Sequence, residues 1–176
     1  MAALTAVGAW IRIPIPQVPV TLQMSFVYLS GAWLGARYGA LSQLVYVGAG
    51  LIGFPIFAKG GGPHYVFEPS FGYIAGFIPA ACAAGLIGQR ASSYRGFLAA
   101  AAAALTLVYI PGILWLYVIL NFVLGQPTPP LAALAVGLSS LPKDLVLLPL
   151  NAYLGQRVRR RLAFLSESVK THCPNR

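Results

Sequence analysis

GFLAAAAAALTLVYIPGILWLYVILNFVL, residues 96–124, runs from Gly96 to Leu124 without one charged side chain. An α-helix rises about 1.5 Å per residue, and a hydrocarbon core about 30 Å thick needs about 20 apolar helical residues. This stretch is long enough to cross. It is continuously apolar, whereas a strand of a membrane barrel would alternate polar and apolar residues. Lipid also favours a helix, because backbone groups must then pair within the segment. Pro111 predicts a kink. The run Ala99–Ala104 predicts a face for close helix packing.

The rest of the chain has the same character. Of 176 residues, 58% are hydrophobic and 9% charged, with mean hydropathy +0.75. Soluble domains carry about 25% charged residues. The length suits one domain. Six apolar segments can be read, each expected to be a transmembrane helix. They run over about Met1–Ile13, Val20–Ala36, Ala40–Phe54, Phe71–Gly88, Gly96–Leu124 and Pro142–Leu162. The first reaches only about 20 Å and is short for a span. Gly48, Gly50 and Gly53 in the third permit close helix contact. Irregular stretches interrupt the segments at Pro14–Pro19, Pro55–Ser70 and Gln126–Pro130, and Leu131–Leu138 reads as a short extra helix. Pro142 suits the first turn of the last helix. The expectation is an all-α integral membrane domain over residues 1–162, with a polar cytoplasmic tail over 163–176.

The charges orient this bundle. Net charge is +9, and Arg157, Arg159, Arg160 and Arg161 crowd the end of the sixth segment. With that cluster in the cytoplasm, the turns carrying Arg37 and Arg90/Arg95 fall inside as well. The opposite loops then hold only Lys59 and Glu68, with Arg12 near the outer end of the first segment. Six spans with both termini cytoplasmic satisfy the positive-inside rule. The arginines are spread over segment ends, which argues against nucleic-acid binding. Cys82 in an apolar segment and Cys173 in the tail suggest no disulfide, and no metal-ligand spacing occurs.

Three polar or irregular stretches share the outer side: Pro14–Gln23, the glycine-rich loop into Tyr73, and Leu141–Leu145. Non-helical backbone at membrane depth survives where protein buries it or a wet cavity receives it. An outward-facing pocket is therefore expected. Asp144 leads the candidates, since an acid in a membrane helix is costly and marks function by default. Its structural alternatives are a first-turn helix charge or a pair with Lys143. Gln23 offers donor and acceptor together, or else an interhelical hydrogen bond, and Asn121 is a similar case. Phe71, Tyr73 and Trp115 are candidate aromatic walls, although aromatics also serve as interfacial anchors. Lys59, Lys143 and Arg12 are the outer cations that could hold a carboxylate.

Catalytic signatures are missing. There is no G-x-x-x-x-G-K-[ST] phosphate loop, no G-x-S-x-G and no H-E-x-x-H. With 3 acidic residues in all, a catalytic dyad or proton relay has little material. The reading is of a binding protein in lipid, not an enzyme, with no cofactor, that relies on partners to move its cargo.

Four groups of residues carry a resemblance over nearly the whole chain. They are Ile13-Pro14-Ile15-Pro16 with Pro19-Val20-Thr21-Leu22-Gln23; Gly53-Phe54-Pro55-Ile56-Phe57; Pro69-Ser70-Phe71-Gly72-Tyr73 with Gly76-Phe77; and Leu141-Pro142-x-Asp144-Leu145. The chain resembles the BioY family, the biotin-binding S components of energy-coupling-factor transporters. The resemblance implies a six-helix fold that captures biotin from outside the cell membrane. It also implies a transmembrane coupling subunit and two ATP-binding subunits as partners. These would dock through an Ala-x-x-x-Ala face, here Ala2 and Ala6. Asp144 would then accept ureido N–H groups, with Gln23 or Asn121 completing the pairing. Two positions depart from the family: Lys143 stands where many members have Gly, and Leu147 where they have Lys. Glu68-Pro69-Ser70-Phe71-Gly72-Tyr73 replaces the more usual Gly-Pro-Thr-Gly-Gly-Tyr. The alternatives are an S component for another small vitamin, or a membrane receptor or scaffold that does not transport.

Overall fold

The computed structural model describes residues 1–15, 17–91 and 93–172, with side chains described as far as Arg161. Pro16 of the first irregular stretch, and Cys173 with the last residues of the tail, lie outside the described residues. Six α-helices form one bundle: α1 (Ala2–Trp10), α2 (Gln23–Ile52), α3 (Phe71–Arg90), α4 (Tyr94–Val118), α5 (Pro130–Gly137) and α6 (Leu141–His172). Two short strands, β1 (Arg12–Ile13) and β2 (Val20–Thr21), pair antiparallel, so the first irregular stretch is the tip of a hairpin.

The helices follow the segments read from the sequence, with shifted ends. The second and third segments are two helices, grouped as α2 and separated at Gly35, whose backbone is not helical (φ 83°, ψ 175°). The fold is sharp: Gln43 Nε2 donates to Ser30 Oγ at 3.1 Å across 13 residues, which a straight helix would spread over about 20 Å. α4 continues through Pro111 and widens into a π-helical turn, Ile119–Val123. α6 runs past the expected end near Leu162 to His172. Phe71–Arg90 and Tyr94–Val123 are long and apolar enough to cross a membrane. α5 and the Leu141–Arg161 part of α6, bent by 41°, are long and apolar enough only when taken together as one broken span. α1 has 9 residues and reaches only about 13 Å.

Small residues let the helices meet at backbone distance. A Cβ on Gly31 would stand 2.1 Å from the Ala81 carbonyl oxygen, and one on Gly85 would stand 2.3 Å from the Ala36 nitrogen. The alanine run behaves as expected: Ala100, Ala101 and Ala104 are buried. Large apolar side chains point outward along the helices, including Leu44, Leu114, Phe122 and Val146. Apolar exposure on this scale suits a lipid-facing surface, not a soluble monomer.

The bundle has two chemically distinct ends. At one, Gly35 packs against Gln89, and Arg159 Nη2 donates to the Gln89 carbonyl at 3.2 Å. The α2 fold, the α3–α4 turn and the arginines of α6 therefore gather there. At the other end lie the starts of α2, α3 and α6, the hairpin, and the loop from 55 to 70. That loop is less irregular than expected. It closes through a Phe57–Gly60 bridge and a 3₁₀ turn, Pro63–Phe67. It also inserts Phe57 and Tyr65, each 1% exposed, into the core.

Candidate functional site

A cavity opens at the loop-covered end and encloses about 530 Å³ of space between atoms, counting the part open to solvent. Each wall comes from a different element. The hairpin contributes Thr21, α2 Gln23, α3 Tyr73 and Phe77, α4 Tyr109, the turn before α6 Ser140, and α6 Lys143 and Asp144. Tyr65 and Ser70 close it from the long loop. Helices that start at this end deliver their first-turn side chains to one place, which is how residues 120 positions apart come together.

Asp144 is 5% exposed. Tyr109 Oη donates to its Oδ2 at 2.6 Å, and Lys143 Nζ donates to its Oδ1 at 2.5 Å. The same ammonium donates to the Thr21 carbonyl, tying α6 to the hairpin. A carboxylate has about four lone-pair sites, so acceptor capacity toward a ligand remains after both bonds. Gln23 is held on both sides: its Nε2 donates to Tyr46 Oη at 2.6 Å, and its Oε1 accepts from Thr21 Oγ1 at 2.9 Å. The interhelical hydrogen bond and the pocket position therefore coexist. Tyr73 Oη donates to the Gly137 carbonyl at 2.9 Å, leaving its ring to form wall, edge-on to Tyr109 with centroids 5.6 Å apart. Burial pushes the Tyr65 phenol above its ordinary pKa, so it remains a neutral hydroxyl.

Of the residues singled out from sequence, Gln23, Tyr73, Lys143 and Asp144 line this cavity, and Phe71, Trp115 and Asn121 do not. Trp115 Nε1 donates to the Val66 carbonyl at 3.1 Å, and its ring packs against Phe71 at 6.1 Å. That pair braces the long loop from outside the pocket. Asn121 Nδ2 donates to the carbonyls of Tyr117 and Thr128, and its Oδ1 accepts from Thr128 N. Its amide serves the turn after α4. Ala2 and Ala6 are partly buried against the core, and the outward face of α1 carries Leu4, Val7 and Trp10. Tyr109, Tyr65, Phe77 and Ser140 were not anticipated. A weak signal existed for Ser140, which sits at the expected helix start; an aromatic in an apolar helix gives none.

A second, more open cleft adjoins the cavity and shares Pro19 and Ala58 with it. Arg12 and Lys59 line it, and Lys59 pairs with Glu68 at 2.9 Å. Among the described residues no His, Cys, Asp and Glu cluster could hold a metal ion.

Comparison with known proteins matches residues 1–164 to the BioY family. The chain is 44% identical over 160 residues to a probable biotin transporter BioY of Lysinibacillus sphaericus, covering 89% of this chain and 82% of that one. It is 42% identical over 121 residues to the biotin transporter BioY of Thermotoga maritima, covering 68% and 69% respectively. Among solved structures it is similar to the S-component for biotin from an ECF-type ABC transporter. The TM-score is 0.78 at 24% identity, over 90% of this chain and 86% of that one. At that identity the likeness is one of fold.

Proposed function

The chain belongs to the BioY family, and from that premise we propose that it is a membrane binding subunit that captures biotin for uptake. The observation that carries the proposal is the convergence of Gln23, Tyr73, Lys143 and Asp144 on one cavity. Biotin combines a fused thioether ring, a ureido group with two N–H donors and one carbonyl, and a carboxylate tail. Asp144 accepts a ureido N–H with its remaining lone pairs. Tyr65, Tyr73, Phe77 and Tyr109 enclose the ring. Gln23, fixed by Tyr46 and Thr21, presents its second N–H. The carboxylate has Lys143 at the cavity and Arg12 in the adjoining cleft as its cations. A site built to pair buried polar groups rejects analogues that lack them, because its own groups are then left unpaired.

The loop-covered end faces outside the plasma membrane and the arginine end faces the cytoplasm, with both termini there, in keeping with the positive-inside rule. Without a phosphate-binding loop of its own, the chain takes its energy from a transmembrane coupling subunit and two ATP-binding subunits. α1 is the docking element, through the Ala2/Ala6 spacing and the exposed Leu4, Val7 and Trp10 beside it.

Equilibrium binding of labelled biotin to the detergent-purified protein tests this. Saturable binding near one biotin per chain, displaced by unlabelled biotin and not by a vitamin of unrelated structure, is expected. Folded protein that takes up no biotin, or that prefers another vitamin, would overturn it.

A further inference from the structure

Ser140 lies just before α6, is 8% exposed and contributes to the cavity wall. Its Oγ is sealed from solvent and has no hydrogen-bond partner among the described residues. A buried hydroxyl left unpaired is costly, and each such group calls for an explanation. The other polar groups of this wall are engaged. Tyr109 donates to Asp144, Tyr73 to Gly137, Gln23 to Tyr46, and the Tyr65 and Ser70 hydroxyls lie 3.4 Å apart. A serine at a helix often bonds back to a carbonyl one turn earlier; this one does not.

Asp144 N donates to the Ser140 carbonyl at 3.3 Å, the first helical turn of α6. Side chains four apart on a helix stand about 5–6 Å from each other on one face. Ser140 and Asp144 therefore present a hydroxyl donor beside a carboxylate acceptor. A cyclic urea presents the complement, a carbonyl oxygen beside an N–H. Resting on the biotin reading above, we propose that Ser140 is a specificity-determining residue of this site. Its hydroxyl donates to the ureido carbonyl oxygen while Asp144 accepts the adjacent N–H. Lys143, held by Thr21 and Asp144, leaves Asp144 the lone pairs that the ureido N–H takes.

The test compares wild type with Ser140→Ala, using biotin and dethiobiotin as ligands, the latter keeping the ureido group and lacking the sulfur. The variant is expected to bind both about tenfold more weakly, the scale of one lost hydrogen bond. Without added ligand it should melt at or above the wild-type temperature, because an unpaired hydroxyl has been removed. Unchanged biotin affinity in Ser140→Ala would overturn the assignment while leaving biotin capture intact. A penalty seen with biotin and absent with dethiobiotin would place the hydroxyl at the sulfur and overturn the ureido contact. A variant that melts well below wild type would show that the hydroxyl has a structural partner, and would equally end the proposal. Failure of the wild type to bind biotin would remove the functional reading itself, and this inference with it.

Discussion

At Asp144 the energetics of a buried ion pair and the demands of a binding site meet. Its carboxylate is held by Lys143 and Tyr109 within a largely apolar bundle. Removing one member of a buried pair leaves an uncompensated charge, at a cost of about 3–5 kcal/mol. The Lys143 side chain retains 23% exposure, so Lys143→Met should lower stability by about 3 kcal/mol, near the bottom of that range. Lys143→Met with Asp144→Asn should recover most of the loss. Denaturant unfolding of the two variants in detergent checks this; equal destabilisation in both would mean that the pair is not coupled. Tyr109→Phe removes a hydrogen bond to a charged group, worth about 1.5–3 kcal/mol, and should weaken biotin binding tenfold or more by equilibrium dialysis.

Asp144 was legible in the sequence because a lone acid in an apolar segment has few inexpensive roles. Tyr109 was not, since a tyrosine in a greasy helix reads the same whether it faces lipid or a cavity. Asn121 lies outside the cavity. Its partners at Thr128 come from the turn after α4, and no spacing announces them.

Among the elements, α2 is the one whose folding shapes the bundle. Gly35 holds φ 83° and ψ 175°, a region open in practice only to glycine, and a Cβ there would meet Gln89 Nε2 at 2.3 Å. Gly35→Ala should destabilise the protein by about 1–3 kcal/mol, read as a lower melting temperature. No change would mean that the fold in α2 adapts without strain. The apolar segments on either side of this point were readable from hydropathy and Arg37. That the two helices joined at Gly35 pack back against each other was not, because a glycine in a membrane segment more often signals close packing. The loop from 55 to 70 shows a similar limit. Its glycines and prolines announce irregular backbone, but the insertion of Phe57 against Tyr46 and Tyr65, with centroids 5.4 and 4.6 Å away, depends on tertiary packing. Phe57→Ala should cost about 3–5 kcal/mol and loosen the wall that Tyr65 provides.

Across the whole molecule, a basic end and a cavity end are separated by the length of the bundle. This polarity was the most legible property of the chain, because charge placement and irregular backbone both follow from the bilayer. Orientation can be tested in cells with Cys82 and Cys173 replaced by Ala. A membrane-impermeant thiol reagent should label His64→Cys, in the exposed part of the loop, and spare Arg161→Cys; the reverse pattern would invert the orientation.

Biotin is expected to occupy the Asp144 cavity. Thermal unfolding of the purified protein with and without biotin tests it most directly, with Asp144→Asn alongside. A ligand that binds only the folded state stabilises it by RT ln(1 + [L]/Kd), about 2.7 kcal/mol at a hundredfold excess over Kd. The melting temperature of the wild type should rise, and the rise should be largely lost in Asp144→Asn. No rise in the wild type, or an equal rise in both proteins, would contradict it.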